Sequence, residues 1–164
     1  LCDFNDSLNL EACYILGMFG VELSGYKQII KKLPVQLGFS PLSTQLLPFY
    51  SGNIIFNTGI DKGKYFVEFD KIMGACYEVD FGNKKEIVAF SPYKTSIYDV
   101  KTEIKLRLVC TRRNLFGPLH NTNKQLNDYG PNAFTPEDKD FELSYSFFDE
   151  CMTTPFFYKV IDCV

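Results

Sequence analysis

His120 is the one histidine of this chain, and the six cysteines are Cys2, Cys13, Cys76, Cys110, Cys151 and Cys163. Imidazole and thiolate are the groups best suited to general-base, nucleophilic or zinc chemistry near neutral pH. Their arrangement supports little of it. No CxxC occurs and the cysteine gaps are long, whereas zinc sites use close ligand pairs. His120 sits in an aperiodic segment with no nucleophile motif beside it. "GFSPL" at 38–42 lacks the second glycine of a nucleophile elbow, and no phosphate loop or dinucleotide fingerprint is present. Asp99, Glu103, Glu137 and Asp140 could supply the two carboxylates of a glycosidase. Asp99 and Glu103, however, fall on the wet side of an alternating stretch, where charge is expected anyway. These residues predict a protein with no catalytic site, no metal and no cofactor.

The cysteines read better as structure. An even number at wide spacing predicts three disulfides formed in an oxidising compartment. Cys2 with Cys13 and Cys151 with Cys163 are the local candidates, and a link from Cys163 to a neighbouring strand stays open. Six buried free thiols in a cytosolic protein are the alternative. The start at Leu1–Cys2, without a basic leader, suggests that a signal peptide has been removed. "NDS" makes Asn5 a glycosylation sequon. "ACYILGMFGV" at 12–21 is apolar but too short to span a bilayer. The expectation is a secreted glycoprotein.

Composition narrows the class. The chain is 46% hydrophobic and 23% charged, which is globular. Phe and Tyr supply a 16% aromatic share that suits pleated, half-buried surfaces. The net charge of −3 argues against a nucleic-acid partner, because phosphate binding needs a basic surface.

Residues 98–110, "YDVKTEIKLRLVC", carry the clearest pattern. Tyr98, Val100, Ile104, Leu106, Leu108 and Cys110 share one parity, and Asp99, Lys101, Glu103, Lys105 and Arg107 the other. This predicts one strand with a buried face and a wet face. "NIIFNTGI" and "KYFVEFDKI" flank "DKG" and predict a hairpin, with a positive φ at Gly63. "ACYEVDF" and "KEIVAF" flank a second turn at Gly82–Asn83. "FELSYSFF" and "FFYKVIDCV" close the chain as strands. Earlier, Phe19, Val21 and Leu23 suggest a short strand. Tyr26, Ile29, Ile30 and Leu33 recur at helical spacing, which predicts a short helix ended by Pro34.

The whole is a single domain over 1–164, with an irregular N-terminal part (1–52) and a β core (53–164) interrupted by a long loop (112–140). The fold class is mainly β: an antiparallel sandwich or barrel, disulfide-stabilised, with one or two short helices. "TPED" at 135–138 could cap one of these. The long loop holds Phe116, Tyr129 and Phe134 and starts beside Arg112 and Arg113. Long loops on rigid scaffolds carry binding function. The expected role is a non-enzymatic extracellular module that engages a partner protein through Arg112, Arg113, Phe116, Tyr129 and Phe134. The alternative is an extracellular carrier of a hydrophobic small molecule held in a barrel interior lined by Val67, Tyr77 and Leu106. That is the lipocalin mode of action, although the early Gly-x-Trp of lipocalins is missing from a chain with no Trp.

Overall fold

The alternation along residues 98–110 passes through two strands that belong to two different sheets. The computed structural model describes residues 14–24, 27–115, 119–122 and 141–161. Among these, β7 (Tyr98–Val100) pairs with β4 (Gly63–Glu68), which also pairs with β11 (Phe156–Val160). After a bend at Lys101 and Thr102 the chain re-forms as β8 (Glu103–Val109). That strand lies between β3 (Asn53–Gly59) and β5 (Cys76–Asp80), with β6 (Lys85–Val88) at the far edge of the four-stranded sheet. The expected single strand is therefore two. The parity survives the corner because both sheets turn their apolar faces to one shared core.

That core joins Tyr65, Val67 and Phe69 from the β4 segment to Tyr77, Val79, Ile104, Leu106 and Leu108 from β5 and β8. Phe69 and Tyr77 meet edge-on at 4.7 Å, and Phe81 meets Tyr98 at 4.8 Å, so aromatic rings bridge the sheets. Val67, Tyr77 and Leu106 are fully buried. Their places in the interior are taken by packing against one another and their neighbours. The opposite face of the four-stranded sheet carries the charges of the alternating pattern. Glu78 reaches Lys85 at 3.6 Å and Arg107 at 3.4 Å, and Lys105 pairs with Glu103 at 3.1 Å.

The turn at Gly82 forms as expected. Gly82 has a φ of 87° and donates its N–H to the Asp80 carboxylate at 2.8 Å, which closes the β5–β6 hairpin. The "DKG" connection differs. β3 pairs with β8 and β4 with β7 and β11, so the segment crosses between sheets, and Gly63 keeps an ordinary φ. Ile60 anchors that crossing by donating to the Thr102 carbonyl at 3.0 Å.

β1 (Gly20–Ser24) is the expected early strand, but the expected helix after it is a strand as well. β2 (Lys27–Lys31) pairs antiparallel with β1, Val21 facing Ile30. Adjacent Ile29 and Ile30 fit either period, and the β-branched pair lies on opposite faces of a strand without crowding a helical turn. Among the described residues the helix is a short 3-10 turn, Leu42–Gln45, in the stretch expected to be irregular. Gln45 holds it by taking the Gly38 N–H and donating to the Gly38 and Ser40 carbonyls. Within the expected loop 112–140 the chain forms β9 (Leu119–Thr122), paired with β10 (Phe141–Ser146). The "TPED" turn lies outside the described residues. No described helix is long and apolar enough to cross a membrane.

Candidate functional site

Leu46 is the residue around which a candidate site assembles. It ends the 3-10 turn with a φ of 64°, the left-handed region that a branched side chain seldom enters. The conformation turns its carbonyl toward β1, where Val21 donates to it at 2.8 Å. That bond ties the β1–β2 hairpin to the 46–50 segment, which packs on the core through Leu47 and holds a fully buried Pro48. Strain kept at a non-glycine residue is a pointer to function.

An open cleft of about 520 Å3 lies between these elements. One wall is made by Tyr14, Ile15, Leu16, Gly17 and Phe19, with Ile15 74% and Leu16 89% exposed. Val21, Gln28 and Ile30 on one face of the hairpin form a second, and Leu46 to Tyr50 form the floor. Among the described residues no charged side chain lines it, and Gln28 is the one amide. Phe49 is braced from behind by Phe147 at 5.5 Å. Tyr50 donates its hydroxyl to the Asn53 carbonyl at 3.0 Å, so its ring faces the cleft with the polar tip already used.

Leu115 closes the remaining side and links the cleft to the arginines expected to bind a partner. Arg112 and Arg113 are both exposed on the turn that Leu115 ends, its N–H bonded to the Arg112 carbonyl. The Arg113 guanidinium lies 4.6 Å from the centre of the Phe148 ring. The turn is held by Asn114, a buried residue that sequence reasoning passed over. Its amide takes the Phe148 N–H at 3.0 Å and donates to the Phe148 carbonyl at 2.9 Å. Glu150 was missed in the same way. Its carboxylate is buried and accepts the Thr111 N–H at 2.6 Å, while its other oxygen has no partner. Neither residue stands in a periodic pattern that would have marked it. Phe116, Tyr129 and Phe134, the other expected partner-binding residues, lie outside the described residues, as does Asn5.

The residues with chemistry are scattered. His120 is on β9, opposite Tyr145 of β10. Asp99 belongs to the three-stranded sheet and Glu103 to the four-stranded sheet, where Glu103 pairs with Lys105. Glu137 and Asp140 lie outside the described residues. Among the described residues no three His, Cys, Asp or Glu are grouped as a metal would require.

The cysteines differ from the expected framework. Cys76, Cys110 and Cys151 carry free thiols, and Cys2, Cys13 and Cys163 lie outside the described residues. Cys76 faces Val109 on the wet side of the sheet, whereas Cys110 follows the core parity of Leu106 and Leu108. Those two thiols therefore point to opposite faces. Burial first, and the nearby Glu150 second, push the Cys110 thiol up to about 12. Burial raises Cys76 and Cys151 as well. None of the three is an activated nucleophile.

Comparison with models of known protein families, with curated proteins and with solved structures found no match.

Proposed function

We propose that this protein is a non-enzymatic extracellular binding module, a β-sandwich built on its three- and four-stranded sheets, that engages a partner protein through the cleft between the β1–β2 hairpin and the 46–50 segment. The observation that carries this reading is the cleft itself. Ile15, Leu16 and Ile30 line it and expose large apolar surface. Contiguous apolar surface of that kind marks interaction sites on soluble proteins. Arg112 and Arg113 supply a charged rim, as interfaces commonly have. The even cysteine count and the sequon at Asn5 support the extracellular address. The free thiols of Cys76, Cys110 and Cys151 weigh against a fully oxidised chain, and a thiol titration on protein from its source separates the two.

The test compares the wild type with the double variant Ile15→Asp, Leu16→Asp and with Phe90→Asp, which alters a residue 84% exposed outside the cleft. Partner capture from the source fluid should be lost in the first variant and kept in the second. Equal loss or equal retention would remove the site.

A second reading is favoured by the cleft's size. About 520 Å3 lies within the range of roughly 300–1,000 Å3 of small-molecule sites. A carrier of a hydrophobic molecule would use this cleft, since Val67, Tyr77 and Leu106 fill the interior. Native mass spectrometry of the purified protein would reveal a retained ligand.

A further inference from the structure

The β1–β2 hairpin has one edge whose backbone groups are left over. Val21 sends its N–H to the Leu46 carbonyl, away from β2. The Val21–Ile30 pair is therefore one of the ladder's non-hydrogen-bonded pairs, and Leu23–Gln28, two residues along, is another. It follows that the N–H and C=O groups of Gln28 and Ile30 point outward from β2. No described strand pairs with that edge. A two-stranded hairpin is marginal by itself and gains most from a third strand. An extended backbone presents matching acceptors and donors at this spacing, in place of the water that otherwise meets this exposed edge.

The side chains state what such a strand must carry. Gln28 and Ile30 line the cleft on one face of β2. Lys27, Ile29 and Lys31 are exposed on the other. Lys31 lies 2.7 Å from Glu22, a pair about half open to solvent on each side and so well screened. Residues laid opposite Lys27 and Lys31 are best acidic, and those opposite Gln28, Ile29 and Ile30 apolar. A second copy of this chain fits poorly, because antiparallel pairing through Gln28 and Ile30 would set lysine against lysine.

We propose that β2 captures an extended segment of the partner as a third, antiparallel strand, and that this segment is three apolar residues flanked on each side by a carboxylate. The proposal rests on the reading of the cleft as the partner-binding surface. It adds what the partner must present, with main-chain bonds giving affinity and alternate side chains giving selectivity.

The probe is an acetylated, amidated peptide of three valines between two glutamates with a serine at each end. Fluorescence anisotropy follows binding, and hydrogen exchange follows the Gln28 and Ile30 amides. The expected results are binding, slower exchange at those two amides, and a loss of about tenfold when both glutamates become lysine. N-methylation of the first and third valines, whose N–H groups would face β2, should cost about tenfold or more, while methylation of the middle valine costs little. Equal effects of the two methylations would overturn strand addition. A dimer of the protein that protects the same two amides would assign the edge to a second copy and would overturn it too. A peptide that fails to bind, while Ile15→Asp, Leu16→Asp still abolishes partner capture, would sink the strand proposal and leave the cleft standing. Failure of both would remove both.

Discussion

The Tyr77 hydroxyl donates to the Cys151 carbonyl at 3.0 Å, across 74 positions of sequence. The same oxygen accepts the N–H of Met73 at 3.0 Å and of Thr153 at 3.1 Å. Its ring is fully buried against Phe69. One side chain thus packs the core and ties the segment that leads into β11 to the start of the four-stranded sheet. Cys151 reinforces the tie by donating its N–H to the Met73 carbonyl at 2.9 Å.

Tyr77→Phe keeps the ring and leaves two N–H groups and a carbonyl without their partner. It should cost roughly 2–4 kcal/mol in urea unfolding, because unsatisfied buried groups are expensive. Tyr158→Phe on the outer face, where the residue is 44% exposed, should stay within about 0.5 kcal/mol of the wild type. Similar costs at both sites would remove the role given to the Tyr77 hydroxyl.

Leu106→Ala should destabilise the protein by about 2–5 kcal/mol, as truncation of a buried aliphatic chain does. Lys105→Ala should change stability by less than about 0.5 kcal/mol, since its ion pair with Glu103 is about half exposed on both sides. Denaturant titration of the two variants checks the face assignment in β8.

The strand faces were legible because a half-wet sheet imposes a period of two on its sequence. Val67, Val79 and Leu106 could be placed inward from that alone. Sheet membership was not legible, because Tyr98–Val100 and Glu103–Val109 keep one parity while changing sheets. Ile29 and Ile30 misled for a related reason: two adjacent apolar residues in a short, wholly exposed strand satisfy a helical spacing as easily. The cleft was out of reach of pattern reading. It depends on a left-handed Leu46 and on contacts among the 14–19, 28–30 and 46–50 segments, none of which leaves a periodic trace. Of the expected binding residues, Arg112 and Arg113 adjoin it through Leu115.

Leu46→Gly tests whether the strained turn serves the cleft. Relief of the left-handed backbone, worth about 1–2 kcal/mol, offsets the lost contacts of a half-buried leucine. Net stability should move by less than about 1 kcal/mol by the same comparison, while partner binding weakens. A variant that binds as the wild type does would show that Leu46 is structural alone.

The Cys110 thiol gives a pH dependence of defined sign. Its value in the folded state, about 12, lies above the ordinary 9.0. The folded protein therefore holds this proton longer than the unfolded chain does. The stability linked to it is complete below about pH 9 and is lost as the pH rises toward about 12. Urea midpoints measured from neutral pH to about pH 10.5 should fall less steeply for Cys110→Ala than for the wild type. Parallel curves would contradict the buried, protonated thiol. Alkylation of native protein near pH 8 should accordingly leave Cys110 unmodified.

Site-specific photo-crosslinking shows whether the cleft is where the partner docks. A benzophenone side chain is placed at position 16, on the cleft wall, and in a separate protein at position 90, where Phe90 is exposed outside it. Each is irradiated in the protein's own source fluid, and adducts are read by mass spectrometry. A partner seated in the cleft gives a single protein adduct from position 16, with its linked peptide in an apolar stretch bordered by acidic residues, and none from position 90. Adducts from position 90 with none from position 16 would contradict that placement.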